Sequence, residues 1–295
     1  MNEPLPATES VDPRTAQIDV LPSIDLARML VEAHRGAVDA AAGAAGELAQ
    51  AIDLVAAALQ AEHRVFVVGA GTSGRLGVLD AAELPPTFGL EAARVEAFIA
   101  GGDDALRNAV EGAEDDAGAG AAAAAEARAG DVVIGLSASG GAPFVRAALA
   151  AARTQGAHTI SIANSPDSRL AAEAEIGIVL PTGAEPIAGS TRLRAGTAQK
   201  IALNTISTGA MIRLGKTYGN RMVDVVATNA KLRDRALRLV GELAGDVDAA
   251  ALLSAAGGRV KTAVVMGRLG CDRSTAEAAL AAAHGRLAGV IGAPV

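Results

Sequence analysis

The sequence predicts an α/β protein in which helices cover both faces of a parallel sheet. Five short runs rich in apolar residues are predicted as strands, and helical segments separate most of them. This β/α alternation favours a parallel sheet, because each strand returns to the sheet through a crossover connection. Residues 65–68 are all apolar, which is typical of a buried parallel strand. The predicted strands are residues 64–68, 94–99, 131–136, 158–163 and 176–180.

The composition narrows the class of protein. The 295 residues suffice for one large α/β domain with helical additions, or for two domains. Hydrophobic residues make up 51% and aromatic residues 2%, so the core must consist of Ala, Val, Leu and Ile. The net charge of −7 argues against nucleic acid as the main partner. Cys271 is the single cysteine, which excludes an intrachain disulfide and a cysteine metal cluster.

The sequence carries no pattern typical of export or membrane insertion. The N-terminal residues lack the basic region and apolar stretch of a signal peptide. No apolar run is long enough to span a bilayer, since the alanine run at residues 121–125 is followed by Glu126 and Arg128. We therefore expect a cytoplasmic protein without a membrane partner.

Helices are expected before and after the predicted sheet. The first 20 residues are polar and interrupted by prolines, which predicts an extended arm, and an alanine-rich helical hairpin is predicted over residues 24–60, with breaks near Gly43 and Gly46. Residues 196–240 have a helical and unusually basic pattern. The predicted division is an N-terminal arm with helices (residues 1–55), an α/β domain with a helical extension (56–240) and a small helical subdomain (241–295).

The glycine-rich segment after the first predicted strand has the chemistry of an anion site. In the sequence Gly-Ala-Gly-Thr-Ser-Gly, the glycines, Gly71 among them, have no side chain, so backbone N–H groups can approach a ligand. Thr72 and Ser73 add hydroxyl donors, and a helix is predicted to begin near Ser73. Because the N–H groups at a helix N-terminus are unpaired, this segment favours a phosphate.

Glu83 is a candidate general acid. The helix that begins near Ser73 is predicted to end before Pro85 and Pro86, which places Glu83 at its C-terminus beside Leu84 and close to Phe88. The helix dipole and the apolar neighbours both disfavour the charged form of a carboxyl group there. The alternative is a solvated surface glutamate that precedes a turn.

A second hydroxyl-rich loop follows the third predicted strand. Ser137, Ser139 and Gly140 lie between this strand and a predicted helix, which repeats the arrangement of the first loop. Two such loops at strand ends converge on the crevice where open α/β sheets bind ligands. Together they favour a phosphorylated small molecule, although two ordinary turns of small residues stay the alternative.

Residues 100–116 predict a short acidic helix. Asp103 or Asp104 could cap it, and Glu111 and Glu114 would then share one face. Gly112 in its interior costs about 1 kcal/mol relative to Ala, which is explained if a ligand approaches the backbone there. Charge patterning alone favours a solvated acidic face.

A third candidate segment precedes another predicted helix. Ser190, Thr191 and Arg192 follow a glycine and are followed by Arg194. Guanidinium groups match carboxylate and phosphate geometry, so this turn could bind an anionic ligand. A helix cap with two surface arginines is the alternative.

These segments resemble the N-acetylmuramic acid 6-phosphate etherases, a family built on the sugar isomerase (SIS) domain. The matching segments are GAGTSGRLGVLDAAELPPTFG, AGGDDALRNAVEGAEDD, GSTRLRAGTAQK and KTYGNRMVDVVATNAKLRDRA. The resemblance implies a three-layer αβα sandwich with an SIS sugar-phosphate domain over residues 56–240, a homodimer, and neither cofactor nor metal. It implies cleavage of the D-lactyl ether of N-acetylmuramic acid 6-phosphate. The family's two functional glutamates fall on Glu83 and Glu114.

The chain departs from the family pattern at three places. Gly141 and Ala142 stand where the family usually has Arg and Thr, which removes a cation and a hydroxyl beside the expected phosphate. Leu84 replaces a usual Cys and keeps the surroundings apolar. The segment before the first strand lacks a usual glycine pair, which we interpret as a turn variation.

The chemistry predicts a division of labour between the two glutamates. We expect Glu114, on a polar and solvated segment, to remove the C2 proton as base, and Glu83 to protonate the departing lactate and then activate water. Glu111 is the rival base, and only the resemblance prefers Glu114.

Two other functions stay open at this point. One is a non-catalytic sugar-phosphate sensor, since the related glucokinase regulatory protein also uses SIS domains. The other is a nucleotide-dependent dehydrogenase, because Gly69, Gly71 and Gly74 satisfy the dinucleotide fingerprint after a strand. Retention of both glutamates favours the enzyme over the sensor. The second serine-rich loop and the lack of a ribose-binding acid after the second strand count against the dehydrogenase.

Overall fold

The structure, a computed structural model, describes residues 6–224 and 230–294. Residues 1–5 of the predicted arm and residues 225–229, within the last of the four matching segments, lie outside the described residues. The chain divides into two compact units. The first comprises Met1–Ala81 and Ala93–Ser207, and the second comprises Ala82–Ala92 and Thr208–Val295.

The first unit contains the predicted five-stranded parallel sheet. Its order is β2-β1-β3-β4-β5, and every neighbouring pair is parallel. Gly69 pairs with Ile99 and with Leu136, so three strands end at the same edge. The strand order reverses around β1, which brings the loops after β1 and β3 side by side where such sheets bind ligands. The strands are β1 (Val65–Gly69), β2 (Val95–Ile99), β3 (Val132–Ser137), β4 (His158–Ala163) and β5 (Ile176–Val179).

Helices precede the sheet, connect its strands and follow it. The predicted hairpin over residues 24–60 consists of three helices, with breaks at His34 and Ala44. The first helices in chain order are α1 (Ser23–Ala33), α2 (Arg35–Gly43), α3 (Ala45–Gln60), α4 (Gly71–Phe88), α5 (Ala117–Ala123), α6 (Pro143–Thr154), α7 (Arg169–Glu173) and α8 (Arg194–Arg213).

The two faces of the sheet contact different helices. Phe66 and Val68 of β1 belong to the buried cluster that includes Val145 and Leu149 of α6. Val67 lies between these two residues of β1 and contacts a different helix. A Cβ atom added to Gly77 of α4 would lie 2.8 Å from Val67 Cγ1. Because successive side chains of a strand point to opposite faces, α6 and α4 lie on opposite faces of the sheet. The unit is therefore a three-layer αβα sandwich, as the resemblance implied.

The described part of the N-terminal arm, residues 6–20, is folded rather than extended. It forms three 3-10 turns, Ala7–Glu9, Pro13–Thr15 and Ile18–Val20. Thr8 is fully buried, and its carbonyl accepts a hydrogen bond from the N–H of Gly189 at 3.0 Å. For these residues the prediction of an extended arm is wrong, because tertiary contacts such as that between Thr8 and Gly189 hold them against the rest of the first unit.

Helix α4 does not end before the prolines, as the sequence predicted. It continues through Pro85 and Pro86 to Phe88, and the N–H of Gly89 donates to the Pro85 carbonyl at 2.9 Å. The proline ring fixes φ near the helical value, so the two prolines remove two N–H donors without forcing the last turns out of the helix. Gly89, with φ of +61°, follows the last turn.

Residues 103–116 do not form the predicted acidic helix. They contain two 3-10 turns, Asp103–Leu106 and Ala113–Asp115, and Gly102 rather than an aspartate caps the first. Gly112 has φ of +72°, in the left-handed region that an α-helix cannot contain. Glu111 and Glu114 therefore lie on either side of a turn and do not share a helix face.

The second unit contains the predicted small helices around a separate apolar cluster. A two-stranded hairpin was not predicted, because only four residues pair in it. Burial lowers the pKa of Lys261, whose ammonium donates to Gly285 O at 2.7 Å and pairs with Asp224 at 2.8 Å. The elements are β6 (Thr217–Tyr218), β7 (Arg221–Met222), α9 (Ala230–Ala244), α10 (Ala249–Ala255), α11 (Val260–Leu269), α12 (Arg273–Ala282) and α13 (Ala288–Ile291).

Within the described residues, no individual helix has the length and apolar character needed to cross a bilayer. Two pairs of consecutive helices would be long and apolar enough only if the two helices of each pair were counted as one, and each pair is sharply bent where its helices meet. They are Ser23–Gly43 with Ala45–Gln60, and Ala249–Ala255 with Val260–Leu269.

Candidate active site

The first glycine loop begins directly at the end of β1. A Cβ atom on Gly74 would lie 2.7 Å from Gly69 O and 2.5 Å from Ile99 Cγ1, so only glycine lets α4 start this close to the sheet. Gly71 is exposed, with φ of +53°, and Thr72 is half-buried. The N-terminus of α4 therefore lies at the carboxyl edge of the sheet with its backbone accessible to a ligand.

Ser73 differs from its loop neighbours because it is buried. Its hydroxyl donates to Gln199 Oε1 at 2.7 Å, and Gln199 Nε2 in turn donates to Asn164 Oδ1 at 3.0 Å. The Ser73 hydroxyl proton is thus engaged within the protein. Any contact from Ser73 to an anion would come from its backbone N–H.

Gln199 is a site residue that the sequence analysis missed. It is fully buried on α8, and through Asn164 the network continues to Leu180 O at 3.2 Å. The network ties α8 to α4, to the residue after β4 and to the residue after β5. The sequence offers little signal for this role, because Gln199 is followed directly by Lys200 and its burial is visible only in the folded structure.

The second loop is arranged by its own hydroxyl groups. Ser137 Oγ accepts a hydrogen bond from the N–H of Gly140 at 3.1 Å, and Ser139 Oγ accepts one from the N–H of Gly141 at 3.2 Å. Gly140 has φ of +73°, and a Cβ atom there would lie 1.9 Å from Ser168 Oγ. Neither hydroxyl donates a hydrogen bond to another described residue, so each proton is available to a ligand.

The third turn lies beside the first loop. The N–H of Gly196 donates to Thr191 O at 2.9 Å, and a Cβ atom on Gly196 would lie 3.2 Å from Thr72 Cγ2. Ser190 and Thr191 are half-buried, and Arg192 is exposed and forms no ion pair with a described residue. The structure therefore brings the first loop and the third turn together.

Arg194 and Arg192 have different environments, although the sequence presents them as a pair. Arg194 is 7% exposed and donates to the carbonyl groups of Ala33, Thr182 and Ala184 at 2.5, 2.9 and 2.9 Å. The buried carboxylate of Glu185 accepts from the N–H groups of Arg194 and Ala195. The N-terminus of α8 is thus closed by an internal carboxylate and is not an anion site.

Glu114 and the first loop share a cavity of about 160 Å³. Gly71, Arg75, Glu111 and Glu114 are among its lining residues, and both glutamates are exposed. Both therefore reach solvent beside the accessible N-terminus of α4. The geometry alone does not distinguish them as bases.

Ser139 and Gly140 line a different cavity, of about 580 Å³. Arg146 also lines it, but its guanidinium binds Glu173 through Nε at 3.0 Å and Nη2 at 2.5 Å. The hydrogen bond from Arg146 lowers the pKa of Glu173 below its usual value, which keeps the pair charged at neutral pH. Arg146 is therefore committed to Glu173 and does not replace the cation that Gly141 lacks.

Glu83 does not have the environment that the sequence predicted. It is exposed, and because α4 continues to Phe88 it lies five residues before the helix end. Leu84 and Phe88 are buried beside it in sequence, but the Glu83 side chain is in solvent. Within the described chain Glu83 therefore lies neither at the end of the helix nor in an apolar pocket, and that part of the prediction is wrong.

In the described parts of the chain, no three His, Cys, Asp or Glu side chains are grouped so that they could hold a metal ion. The chemical groups that the site offers are carboxylates, hydroxyls, backbone N–H groups and the guanidinium groups of Arg75 and Arg192.

Comparisons with known proteins identify the class to which this fold and these loops belong. The SIS domain family matches residues 108–207, and the family described as glucokinase regulatory protein N-terminal SIS domain matches residues 47–153. Among solved structures, a phosphoheptose isomerase from Francisella tularensis is 18% identical with a TM-score of 0.49, covering 65% of this chain and 100% of that one. The parallel sheet, its helices and the family matches together define an SIS-domain protein.

The chain is also similar over nearly its whole length to named relatives. It is 50% identical over 296 residues to an N-acetylmuramic acid 6-phosphate etherase from Gloeobacter violaceus, which covers 97% of each chain. It is 50% identical over 289 residues to another from Deinococcus radiodurans, which covers 97% of this chain and 95% of that one. This chain therefore belongs to the N-acetylmuramic acid 6-phosphate etherase family, and the resemblance predicted from its sequence segments is confirmed.

Proposed function

We propose that this protein cleaves the D-lactyl ether of N-acetylmuramic acid 6-phosphate, giving N-acetylglucosamine 6-phosphate and D-lactate. The observation that carries the proposal is the 50% identity to named etherases across 97% of the chain. The shared cavity of Gly71 and Glu114 supports it, because it offers a carboxylate beside a backbone anion site.

The reaction can proceed with two carboxyl groups alone. In the open-chain sugar the C1 aldehyde acidifies the C2 proton, so a base at C2 generates an enolate-like species. An acid then protonates the lactate oxygen as it leaves C3, and water adds to the unsaturated aldehyde. We assign the base to Glu114 and the acid to Glu83, with each proton transfer contributing about 10²–10⁴ in rate.

The 6-phosphate is assigned to the two strand-end loops, which follow neighbouring strands at one edge of the sheet although Gly71 and Ser139 line different cavities. The exposed backbone at Gly71, the half-buried hydroxyl of Thr72 and the free hydroxyl protons of Ser137 and Ser139 are the supporting observations. Gly140 lets the second loop pack closely, and Ser73 contributes its backbone N–H while its hydroxyl holds Gln199.

The third turn is assigned to the remaining charged and polar groups of the substrate. Ser190 and Thr191 lie against the first loop, and the guanidinium of Arg192 is exposed without an ion pair among the described residues. Such a group suits an anion, because guanidinium binds carboxylate and phosphate oxygens in pairs.

We further propose a cytoplasmic homodimer that uses no cofactor and has neither nucleic acid nor membrane as partner. The acidic net charge of −7 supports the exclusion of nucleic acid. The proposed domains are the arm with its helices (residues 1–55), the SIS sugar-phosphate domain with its extension (56–240) and the helical subdomain (241–295).

The proposal is tested by incubating the purified protein with N-acetylmuramic acid 6-phosphate and measuring free D-lactate. Release of D-lactate in proportion to enzyme concentration is the expected result. A regulatory sugar-phosphate binder is the second candidate, favoured by the match of residues 47–153 to the glucokinase regulatory protein domain. Binding of the substrate without lactate release would identify that function instead.

Replacing Ser139 with Ala is expected to weaken substrate binding by about 1.5–3 kcal/mol, the contribution of one charge-assisted hydrogen bond. The reason is the loss of the hydroxyl proton that the loop geometry leaves free. Substrate titration of a catalytically inactive background measures the effect, with Ser254→Ala, at an exposed position of α10, as control. Equal dissociation constants for Ser139→Ala and the control would remove Ser139 from the phosphate site.

Ala142→Thr is expected to stabilise the protein and tighten substrate binding. Ala142 is the N-cap of α6 and supplies no side-chain acceptor to the first turn, whereas a threonine cap contributes about 1 kcal/mol. The same hydroxyl would lie at the second loop, where the family has Thr. Thermal unfolding and KM report the two effects. Ala142→Val, which has the same shape without the hydroxyl, is the control, and equal behaviour of the two variants would contradict the prediction.

A further inference from the structure

Arg75 connects the first loop to the segment that carries Glu114. It lies one residue after Gly74 on α4 and is half-buried. Its Nε donates to Leu106 O at 3.2 Å, and its Nη2 donates to Asn108 O at 3.0 Å. One planar guanidinium thus spans two carbonyl groups that are two residues apart in the segment.

The segment is anchored at its two ends, because Ala105 is buried, Ala113 packs against the buried cluster of the first unit and Asp116 caps α5. Arg75 acts on the exposed stretch between these anchors. Residues 107–112 are exposed and belong to neither a helix nor a strand. Asn108 Nδ2 bonds to Asp104 within the segment, and a Cβ atom on Gly101 would lie 2.9 Å from Val110. Among the described residues, Arg75 is the one side chain from outside residues 103–116 that hydrogen-bonds to this segment.

The same arginine lines the cavity that holds Gly71 and Glu114. Arg75 is therefore part of the helix turn that begins at the proposed phosphate site, and it is bonded at Leu106 and Asn108 to the segment that carries the proposed base, Glu114. A displacement of the segment relative to α4 would change the distance between the bound sugar and the Glu114 carboxylate.

We propose that Arg75 is a positioning residue that holds Glu114 at the distance from the first loop that C2 deprotonation requires. The inference rests on the proposed role of Glu114 as base. A guanidinium suits this task because its donors are fixed in one plane and can bond two carbonyls at once, whereas an ammonium is a single centre. A misplacement of about 1 Å at a reacting group can lower the rate about 10²-fold.

Arg94 provides a matched control in the same unit. Its guanidinium also donates to backbone carbonyls, those of Leu59 at 2.7 Å and His63 at 2.9 Å. It lies beside the beginning of β2, at the opposite edge of the sheet from the ligand loops. Loss of its donors should lower stability without altering the geometry of the site.

The experiment compares Arg75→Met, Arg75→Lys and Arg94→Met in the full-length protein. Arg75→Met is expected to lower kcat for D-lactate release about 10²-fold with KM changed by less than about threefold. Arg75→Lys should recover part of the loss. In Arg75→Met, peptides covering residues 103–116 should exchange backbone hydrogen for deuterium faster than in the wild type, and peptides from β1 should exchange at the wild-type rate. The turnover of Arg94→Met should equal that of the wild type.

Two outcomes would overturn the proposal. If Arg75→Met raises KM and keeps kcat, Arg75 binds the substrate directly rather than positioning the base. If kcat falls only in proportion to folded protein and exchange of residues 103–116 is unchanged, its role is structural alone. Absence of D-lactate with the wild-type protein would instead remove the proposed function, and full activity of Glu114→Gln would remove the role of Glu114, so these failures are distinguishable.

Discussion

Glu114→Gln is expected to abolish both D-lactate release and exchange of the substrate's C2 hydrogen, with a loss of about 10²–10⁴ in rate. An amide cannot accept the C2 proton, so the enolate-like species does not form and no later step can occur. Glu114 lines the same cavity as Gly71 of the first loop.

Glu83→Gln is expected to behave differently where C2 deprotonation is reversible. It should lose lactate release, because the leaving oxygen is not protonated, and still exchange the C2 hydrogen with solvent. The assignment of Glu83 now depends on the family resemblance alone, since its side chain is exposed and lies five residues before the end of α4.

Incubation in deuterated water separates the two steps, with C2 deuteration and D-lactate measured in the same sample. Glu111→Gln is the matched control, because Glu111 lines the same cavity and is also exposed. It should keep both activities. C2 exchange that persists in Glu114→Gln and disappears in Glu83→Gln would mean that the roles are reversed, and loss of both activities in Glu111→Gln would make Glu111 the base.

Gly74→Ala is expected to lower the free energy of unfolding by about 1–3 kcal/mol and to abolish measurable turnover at substrate concentrations that saturate the wild type. Its new Cβ would lie 2.7 Å from Gly69 O and 2.5 Å from Ile99 Cγ1, and the first of these atoms belongs to the backbone of β1. Helix α4 would have to move away from the sheet, which displaces the phosphate loop and Arg75 together.

The control for this change is Gly46→Ala. Gly46 is exposed within α3, and a Cβ atom there meets no atom within 4 Å. At such a site a Gly→Ala replacement usually stabilises a protein by about 0.4–1 kcal/mol, because it lowers the conformational entropy of the unfolded chain. Chemical denaturation and lactate release measure both variants. A Gly74→Ala protein with wild-type turnover would show that the contact between α4 and β1 is not needed for the site.

The five strands could be predicted from the sequence to within one residue at each end. Their apolar, largely β-branched runs are bounded by glycine and polar residues, and such patterns report burial locally. The two strand-end loops were predictable for a related reason. In a parallel sheet the carboxyl ends of neighbouring strands share one edge, so β/α alternation is enough to bring Gly71 and Ser139 to that edge.

The sequence was less informative about turns and helix ends. The prolines at 85 and 86 predict an ending that does not occur, because proline is compatible with helical φ, and its lost hydrogen bond and ring clash disfavour the helix without excluding it. In residues 103–116 helical spacing was a poor guide, since Gly112 adopts the left-handed conformation.

Three features depended on the tertiary structure alone. Gln199 is paired with Ser73, 126 residues away; Arg194 is buried on carbonyl groups while Arg192 stays exposed; and Arg75 bonds the segment that carries Glu114. Local sequence determines which residues are apolar, which can turn and which carry charge. The partner of a polar side chain depends on which distant backbone groups packing leaves without a hydrogen bond, and that is decided only when the sheet and its helices have assembled.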